Sequence, residues 1–405
     1  MTRLVPPSFE YAYGPSTVRY GSGCIEHLVD TLDRANIERA LVVCGRTVGA
    51  TDAVINPVLD GAGDRVAGVF ADTTPTKSID TVRQGVTQMS EVDADGLIAL
   101  GGGSSMDVAR AMSVLAVEEG DPRSLHATVD PSGELTVPEL TEPKPPVVAV
   151  PTTLSGAELT SAAGVNYPTS GGETAEDVRA GPIYDPKIVP AALVYDPSLI
   201  RTTPEEILAA SAMNGMDHGI EMLYSRHANP LTDSVAVHGL RILDETLPVL
   251  RGGDEDAIGQ AAVGVYLASY GLIDPVVNAN KYNIIHAFGH IISRQYPIQQ
   301  GGVHAIVAPH VLEFLFEQGA GRVSLLAEAF GVTGASDPAS AVVDRVVSLR
   351  DSLELPASLR SVEGLERDVL EDIAAGILKD VGVHNGPADL DLTKAAVTQI
   401  LSDAW

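Results

Sequence analysis

A chain of 405 residues is too long for a single ordinary hydrophobic core, so two domains are expected. Its 54 acidic and 26 basic side chains give a formal net charge of −28 at pH 7. That charge excludes nucleic acid as a partner, because phosphate binding needs a basic face. No apolar run approaches the roughly 20 residues of a membrane span, so no membrane partner is expected either.

The cysteines and the first residues of the chain indicate the cellular compartment in which the protein is expected. Cys24 and Cys44 are the only cysteines, and they have no metal-ligand spacing and make no disulfide framework. The first residues lack the apolar core of a signal peptide. A reducing cytoplasm is therefore the expected location.

The acidic side chains are spread along the chain, and only six residues are lysine. At molar salt the Debye length is about 3 Å, so the self-repulsion of such a surface is screened. We interpret this composition as that of a salt-loving archaeal protein, with an ordinary acidic enzyme as the alternative.

In the first 200 residues, short apolar runs that predict buried strands alternate with helical patterns. This alternation predicts a parallel sheet covered by helices. The predicted strands are Phe9–Tyr11, Ala40–Cys44, Val66–Phe70, Gly96–Leu100, Val147–Val150 and Ala192–Tyr195; the clearest predicted helices are Ile25–Asp33, Ile79–Ser90 and Met106–Ala116. Two stretches rich in Pro, Gly, Thr or acidic residues, Asp121–Pro146 and Tyr167–Tyr184, are predicted to be surface excursions.

From Pro204 onward the apolar residues follow the helical period instead. We therefore predict an α/β dinucleotide-binding domain with a parallel sheet over residues 1–200, then an all-helical catalytic domain over residues 201–405. A ligand is expected in the cleft between two such domains. The predicted helices are Pro204–Arg226, Asp233–Leu247, Asp256–Leu272, Lys281–Ser293, Val303–Gln318, Val323–Phe330, Ala339–Leu353, Glu366–Leu378 and Lys394–Ala404.

The strand at Gly96–Leu100 ends in three consecutive glycines, and the helix predicted from Met106 follows. Glycines allow the backbone to approach a ligand closely, and a helix start presents free N–H groups and a positive dipole end. This geometry suits a phosphate or pyrophosphate, although a plain tight turn stays open. The spacing differs from the common GxGxxG fingerprint.

The strand at Val147–Val150 leads into a hydroxyl-rich loop, Pro151–Thr160. Together the two loops resemble the iron-containing alcohol dehydrogenase superfamily, also called group III dehydrogenases, and the resemblance covers nearly the whole chain. It implies a dehydroquinate synthase-like fold and an oxidoreductase that uses NAD or NADP. In the glycine loop Arg110 replaces the usual lysine, and in the second loop Ala157 replaces a serine. The implied cofactor residues are Gly101, Gly102, Gly103, Ser104 and Asp107 at the pyrophosphate, Thr152, Thr153 and Ser155 near the nicotinamide, and Thr74 near the adenosine.

The residue after the first core strand discriminates the cofactor ribose in this family, where an acid favours NAD. Here Gly45 stands at that position, and Arg46, the next residue, is able to pair with a 2′-phosphate. Both NAD and NADP therefore stay open, as does a solvated loop position for Arg46.

Two helical segments carry polar side chains on one face. Asn214, His218 and Glu221 are spaced i, i+4 and i+7, and His286 and His290 lie one turn apart. Such histidines line a site or satisfy a structural partner. Several of them on neighbouring helices favour a site.

Iron-dependent members of the superfamily bind a divalent metal with one Asp and three His. By the resemblance, those positions are Asn214, His218, His286 and Gln300 in this chain, so two of the four ligands are lost. Amide side chains are poor ligands for Fe²⁺ or Zn²⁺ beside His. Asp217 is no obvious substitute, because it points about 100° round the helix from His218. No metal is therefore expected.

The resemblance is greatest to the metal-independent maleylacetate reductase branch. The shared motifs are the short Pro151–Thr160 loop, the helix motif at Met213–Tyr224, the sequence at 228–230, the two histidines His286 and His290 followed by His304–His310, and Thr74-Pro75. The chain departs from that branch at Gln300 and at 284–287, where the branch has a histidine and a basic run. The substrate is therefore left open.

The resemblance implies the catalytic roles. His290 matches the histidine nearest the reacting carbon and is the expected proton donor, while His286 and His218 orient the substrate and Asn214 supplies a further donor. For His310 a structural role is preferred. We expect a homodimer that reduces a small oxo or enone acid or oxidises an alcohol; the alternatives are a metal-dependent alcohol or polyol dehydrogenase and a non-catalytic nucleotide-binding protein with a decayed site.

Overall fold

The computed structural model describes residues 9–13, 16–126, 128–129, 135–167, 182–274, 279–280 and 282–405. Within these residues the chain forms two compact units. The first, which we call the α/β unit, comprises residues 9–153 and Ala157–Thr202. The second, the helical unit, comprises Leu154–Gly156 and Thr203–Trp405.

The α/β unit is built on a seven-stranded sheet. Its strands are β1 (Phe9–Tyr13), β2 (Ser16–Tyr20), β3 (Ala40–Gly45), β4 (Val66–Thr73), β5 (Gly96–Gly101), β6 (Val147–Pro151) and β7 (Ala192–Tyr195). Their order across the sheet is β1-β2-β7-β6-β5-β3-β4. Only β1 is antiparallel to its neighbour, and the other pairs are parallel, which confirms the predicted parallel sheet.

The central strands β5, β6 and β7 are buried along their whole length. Their nearly continuous Val, Leu, Ile and Ala runs are typical of parallel strands that are covered on both faces. The helices of this unit are α1 (Leu28–Arg34), α2 (Arg46–Gly49), α3 (Asp52–Ala62), α4 (Ile79–Glu91), α5 (Gly103–Leu115) and α6 (Pro197–Ile200).

Helix α5 begins at Gly103, three residues before the predicted start at Met106. Gly102 is its N-cap, and the amides of Ser105 and Met106 donate to the Gly102 carbonyl oxygen. The predicted boundary was placed too late because glycine and serine have low helix propensity. In the first turn, however, the free N–H groups make the cost small.

The helical unit contains nine helices among its described residues, joined by short 3₁₀ turns. They are α7 (Glu205–Tyr224), α8 (Pro230–Thr246), α9 (Glu255–Ser269), α10 (Ile284–Gln295), α11 (Gln300–Glu317), α12 (Val323–Ala329), α13 (Pro338–Ser352), α14 (Leu370–Ile377) and α15 (Lys394–Asp403). One two-residue ladder, Ile273–Asp274 with Ala279–Asn280, is the exception to the predicted all-helical pattern.

Two helices of this unit begin three residues earlier than predicted. Helix α8 begins at Pro230 because the Asn229 side chain accepts hydrogen bonds from the next two free amides. Helix α11 begins at Gln300 and includes Gly301, where a Cβ would lie 1.7 Å from the Ala210 carbonyl oxygen. The glycine therefore lets α11 approach α7 closely.

Parts of three predicted elements lie outside the described residues. These parts are residues 127 and 130–134 of the first predicted excursion, residues 168–181 of the second, and Lys281 at the start of a predicted helix. Of the helices that are described, none is long and apolar enough to cross a membrane.

Acidic side chains crowd parts of the surface of the helical unit. Between residues 363 and 372 five acids are exposed: Glu363, Glu366, Asp368, Glu371 and Asp372. Screening by counter-ions lowers the electrostatic free energy of each of these carboxylates more than an ion pair does, because surface ion pairs are weak.

We therefore predict that the midpoint of thermal unfolding rises with KCl, by on the order of 10 °C between about 0.1 M and about 2 M. Differential scanning fluorimetry measures it, with sucrose at equal osmolality as the uncharged control. A flat response to KCl would contradict the halophilic interpretation.

Candidate active site

The glycine loop and the hydroxyl-rich loop meet in the α/β unit. Gly101 has a φ of +130°, a conformation that side chains rarely adopt, and its carbonyl oxygen accepts the Thr152 amide at 3.0 Å. A Cβ on Gly102 would lie 3.1 Å from the Thr153 methyl group. The chain is thus bare of side chains where α5 begins, as a pyrophosphate cradle requires. Gly103 and Ser104 form the first residues of the helix at this point.

A second pair of strand ends carries the residues expected near the adenosine. A Cβ on Gly45 would lie 3.4 Å from the Thr73 carbonyl oxygen, so the ends of β3 and β4 are adjacent. Arg46 Nε donates to Asp72 Oδ1 at 2.7 Å, and both side chains are exposed. The acid Asp72 therefore lies next to Arg46, the residue that the sequence analysis considered as a partner for the 2′-phosphate of NADP. Thr74 Oγ1 lies 2.7 Å from Thr76 Oγ1 in the following turn.

The predicted cofactor residue Asp107 lies in the second turn of α5 and forms two ion pairs. Its Oδ1 accepts from Arg110 Nη2 at 2.8 Å, and its Oδ2 accepts from Lys77 Nζ, also at 2.8 Å. The carboxylate is thus held in place by cations on both sides.

In the helical unit the fully buried Glu221 joins two helices. Its carboxylate accepts hydrogen bonds from the backbone amides of Asn283 and His286 at 2.8 and 3.0 Å, and from His286 Nδ1 at 2.6 Å. Asn283 is the N-cap of α10, so the carboxylate also lies at the positive end of a helix dipole. The orientation of His286 follows from this anchor.

Three imidazole rings from three helices lie against one another. The ring of His286 stacks on that of His218 with centroids 4.7 Å apart, and the ring of His304 meets its edge at 4.4 Å. His218 Nδ1 lies 2.9 Å from Ser269 Oγ. Burial, with smaller contributions from the neighbouring histidines, lowers the pKa of both His218 and His304 well below the usual value. These two rings are therefore neutral at physiological pH.

His290 differs from the other rings because its side chain is 19% exposed, against 3% for His286 and 0% for His304. Its Nδ1 lies 3.1 Å from Oδ2 of Asp380, and Oδ1 of that carboxylate accepts the Gly382 amide at 2.9 Å. Burial lowers the pKa of His290, and the charge and hydrogen bond of Asp380 oppose that shift. The Tyr282 ring contacts both His286 and His290, with centroids 5.4 Å apart in each case.

A short loop of the helical unit, Leu154–Gly156, packs on α7. The Leu154 amide donates to Ser211 Oγ at 3.0 Å, and Asn214 Nδ2 donates to the Ser155 carbonyl oxygen at 2.8 Å. Gly156 has a φ of +68°, and a Cβ there would lie 2.9 Å from His218 Nδ1. The predicted residues Asn214, His218 and Ser155 are therefore brought together.

Asp217, the residue before His218 in the sequence, lies beside His304 and not beside His218. Asp217 is fully buried with its Oδ2 3.1 Å from His304 Nδ1. Burial, together with the charge of Glu221, raises the pKa of Asp217 well above the usual value. His310 Nδ1 lies 3.3 Å from Glu313 one turn away at the surface, in line with a structural role.

Comparison with known proteins gives the family. The family model for iron-containing alcohol dehydrogenase matches residues 15–197, and that for the C-terminal region of the Fe-containing alcohol dehydrogenase family matches residues 208–405. The chain belongs to the iron-containing alcohol dehydrogenase superfamily and is an oxidoreductase. The resemblance inferred from the two loops is thereby confirmed, as is the fold.

Individual relatives span almost the whole chain. Lactaldehyde reductase of Escherichia coli strain K12 is 26% identical over 398 residues, which cover 96% of this chain and 98% of the relative. Maleylacetate reductase 1 of Cupriavidus pinatubonensis is 29% identical over 389 residues, which cover 95% and 94%. The crystal structure of sulfoacetaldehyde reductase from Bifidobacterium kashiwanohense in complex with NAD⁺ has a TM-score of 0.80 at 19% identity, with 96% of this chain and 97% of that chain covered.

The donors at the family's metal positions do not suit iron or zinc. Two of them, Asn214 and Gln300, are neutral amides, and the Asn214 amide group is already bonded to the Ser155 carbonyl oxygen. The other two positions carry His218 and His286, whose rings stack face to face with their planes 13° apart. Across the described ranges, no cluster of three or more His, Cys, Asp or Glu side chains is arranged to hold a metal ion.

The sequence analysis missed several residues that define these surroundings. Asp380 follows His290 by 90 residues, and Ser269 follows His218 by 51, so no local pattern links the partners. Asp72 was equally hidden, because only the pairing of β3 with β4 brings it to Arg46. Glu221, in contrast, was found from the sequence, because its i, i+7 spacing from Asn214 places both residues on one helix face.

We predict that Gly102→Val weakens dinucleotide binding at least about tenfold with little change in the unfolding temperature, because the new side chain fills the cradle. Fluorescence titration with NADH measures the dissociation constant. Gly334→Val is the matched control, since a Cβ there meets nothing within 4 Å. Equal affinity in Gly102→Val and the parent would show that the loop is not the cradle.

Proposed function

We propose that the protein is an NAD(P)-dependent, metal-independent reductase of a small oxo or enone acid or aldehyde, with His290 as the proton donor. The observation that carries the proposal is the pair formed by His290 and Asp380. It holds a partly exposed imidazole in one orientation, beside rings that are otherwise buried.

The α/β unit fits the dinucleotide. A bare glycine loop at the start of a 13-residue helix suits a pyrophosphate, and the hydroxyl-rich loop lies against it. When bound, the nicotinamide supplies or accepts the hydride. The pairing of Arg46 with Asp72 favours NAD over NADP, because the acid occupies the guanidinium and repels a 2′-phosphate.

The helical unit supplies the polar groups for the substrate oxygen. His290 gives a proton from an imidazole whose Nδ1 is held by a carboxylate, so its Nε2 is the edge left to meet the substrate. His286 is held in the same way by Glu221, and its Nε2 is buried without a hydrogen-bond partner among the residues that the structure describes. A substrate oxygen would satisfy that atom, which gives His286 an orienting role.

The substrate class follows from what these surroundings share with the relatives. The chain is similar over its length both to a maleylacetate reductase and to a lactaldehyde reductase, so a carbonyl next to a polar group is the common feature. Ile285 and Ala287 stand where the maleylacetate branch has basic residues. A substrate with one acidic group or none is therefore favoured over a dicarboxylate.

Metal independence has its own test. We expect the purified protein to hold far less than one Fe²⁺ or Zn²⁺ per chain and to keep its activity in a chelator, because two of the four donors are amides. The double variant Asn214→Asp/Gln300→His restores the family's ligand types and is expected to bind about one metal per chain. Elemental analysis of both proteins measures this. A parent that holds one metal per chain and loses activity on its removal would instead be a metal-dependent alcohol or polyol dehydrogenase.

The role of His290 predicts a split between two variants. His290→Ala is expected to lower kcat by roughly 10²–10⁴-fold, and His286→Ala to raise KM chiefly, because one donates the proton and the other orients the substrate. Asp380→Asn removes the charge that raises the pKa of His290. That pKa then falls further, so the decline of carbonyl reduction at high pH begins at a lower pH.

Steady-state kinetics at high salt, with NADH and with NADPH, measure these effects across a panel of keto acids, enone acids and aldehydes. His310→Ala is the matched control, because this histidine pairs with Glu313 at the surface. Full turnover and an unchanged pH profile in His290→Ala would assign the proton to another group.

A further inference from the structure

The segment that follows β4 runs beside the first turns of α5. Thr73 Oγ1, at the end of the strand, lies 3.0 Å from Ser105 Oγ in the first turn of the helix. Four residues further on, Lys77 Nζ donates to Asp107 Oδ2 in the second turn. Lys77 is thus tied to the helix whose N-terminus forms the glycine cradle.

Asp107 has a second cation, Arg110, but this side chain faces inward. Its exposure is 1%, and its donors are taken by the carbonyl oxygens of Met106 and Thr160, by Thr160 Oγ1 and by Asp107 Oδ1. Arg110 replaces the lysine that the superfamily carries in this loop. Buried and engaged in four hydrogen bonds, the guanidinium is not available to a ligand.

Lys77 is in the opposite situation. Its side chain is 28% exposed, and within the described parts of the chain its ammonium group has one hydrogen-bond acceptor, Asp107 Oδ2. An ammonium group has three donors, so two are left for a ligand. Gly164 borders the pair, since a Cβ there would lie 3.2 Å from Lys77 Nζ.

The backbone at Lys77 is held in a conformation that a lysine rarely adopts. Its φ is +45°, and it persists because the Lys77 amide donates to the Thr74 carbonyl oxygen while the Asn166 amide donates to the Lys77 carbonyl oxygen. Asn166 Nδ2 also donates to the Thr76 carbonyl oxygen. Such strain at a non-glycine residue is more typical of functional positions than of plain turns.

We propose that Lys77 is the cation that binds the diphosphate of the dinucleotide, in the place of the lysine that the loop has lost to Arg110. Asp107 is the positioning residue, because one of its oxygens holds Lys77 while the other is fixed by the buried arginine. This inference rests on the proposed dinucleotide cofactor and adds the group that recognises its charge.

The test compares ligands that do and do not carry the diphosphate. Lys77→Met is expected to raise the dissociation constants of NADH and ADP-ribose by about 10–100-fold and to leave that of adenosine unchanged, because a hydrogen bond from a charged donor is lost. Lys77→Arg keeps the charge and is expected to stay within about threefold of the parent. NADH is followed by fluorescence, and the other two ligands by isothermal titration calorimetry.

Lys77→Gly separates binding from stability. Glycine adopts a positive φ without strain, so we expect this variant to lose the same affinity with no fall in the unfolding temperature. Lys394→Met is the matched control, because it removes a lysine from an exposed pair with Glu371 in the helical unit. Its affinity for all three ligands is expected to equal that of the parent.

The outcomes separate the two proposals. A parent that binds neither NADH nor ADP-ribose overturns the proposed cofactor. A parent that binds both, with Lys77→Met binding them equally well, overturns the role of Lys77 alone. Loss of adenosine affinity in Lys77→Met, or a lower unfolding temperature in Lys77→Gly, would make Lys77 a structural residue.

Discussion

A single buried carboxylate organises the helical unit. Glu221 on α7 accepts the first amides of α10 and the Nδ1 of His286, so it fixes both the position of a helix and the orientation of a ring. Removing one partner of such a buried pair typically costs about 3–5 kcal/mol, because an unpaired charge is left behind. The ring of His218 stacks on the ring that Glu221 holds, and the ring of His304 meets that same ring edge-on.

The same principle recurs where a metal ion would otherwise set the geometry. A metal cation polarises an oxygen and also fixes its ligands, and the proposed metal-independent reaction needs other groups for both tasks. In this chain carboxylate–imidazole pairs provide the fixing: Glu221 with His286, and Asp380 with His290. In the proposed metal-independent reaction, polarisation comes from hydrogen-bond donors, which are effective in surroundings that exclude water.

In the α/β unit, the proposed dinucleotide site is formed mainly by backbone groups and by very few side chains. Three glycines and the start of α5 give a surface of backbone donors, and the flanking charges are each placed by a partner. Arg110 is drawn inward by Thr160 and Asp107, while Lys77 is left toward solvent.

The sequence by itself determined the parallel sheet, the change to helices near Pro204, the glycine loop after β5 and the shared faces of Asn214 with His218 and of His286 with His290. These features depend on periodicity and on short motifs, which are local properties of the chain. It misplaced the starts of α5 and α11, because glycines that lower helix propensity are accepted there for close packing and free amides. Only the tertiary structure decided which partner each functional side chain has: Asp380 for His290, Asp72 for Arg46, Lys77 for Asp107 and His304 for Asp217. Those pairs join residues that are 26 to 90 positions apart, so no local pattern records them. The lowered pKa of His290 likewise depends on its burial in the folded chain.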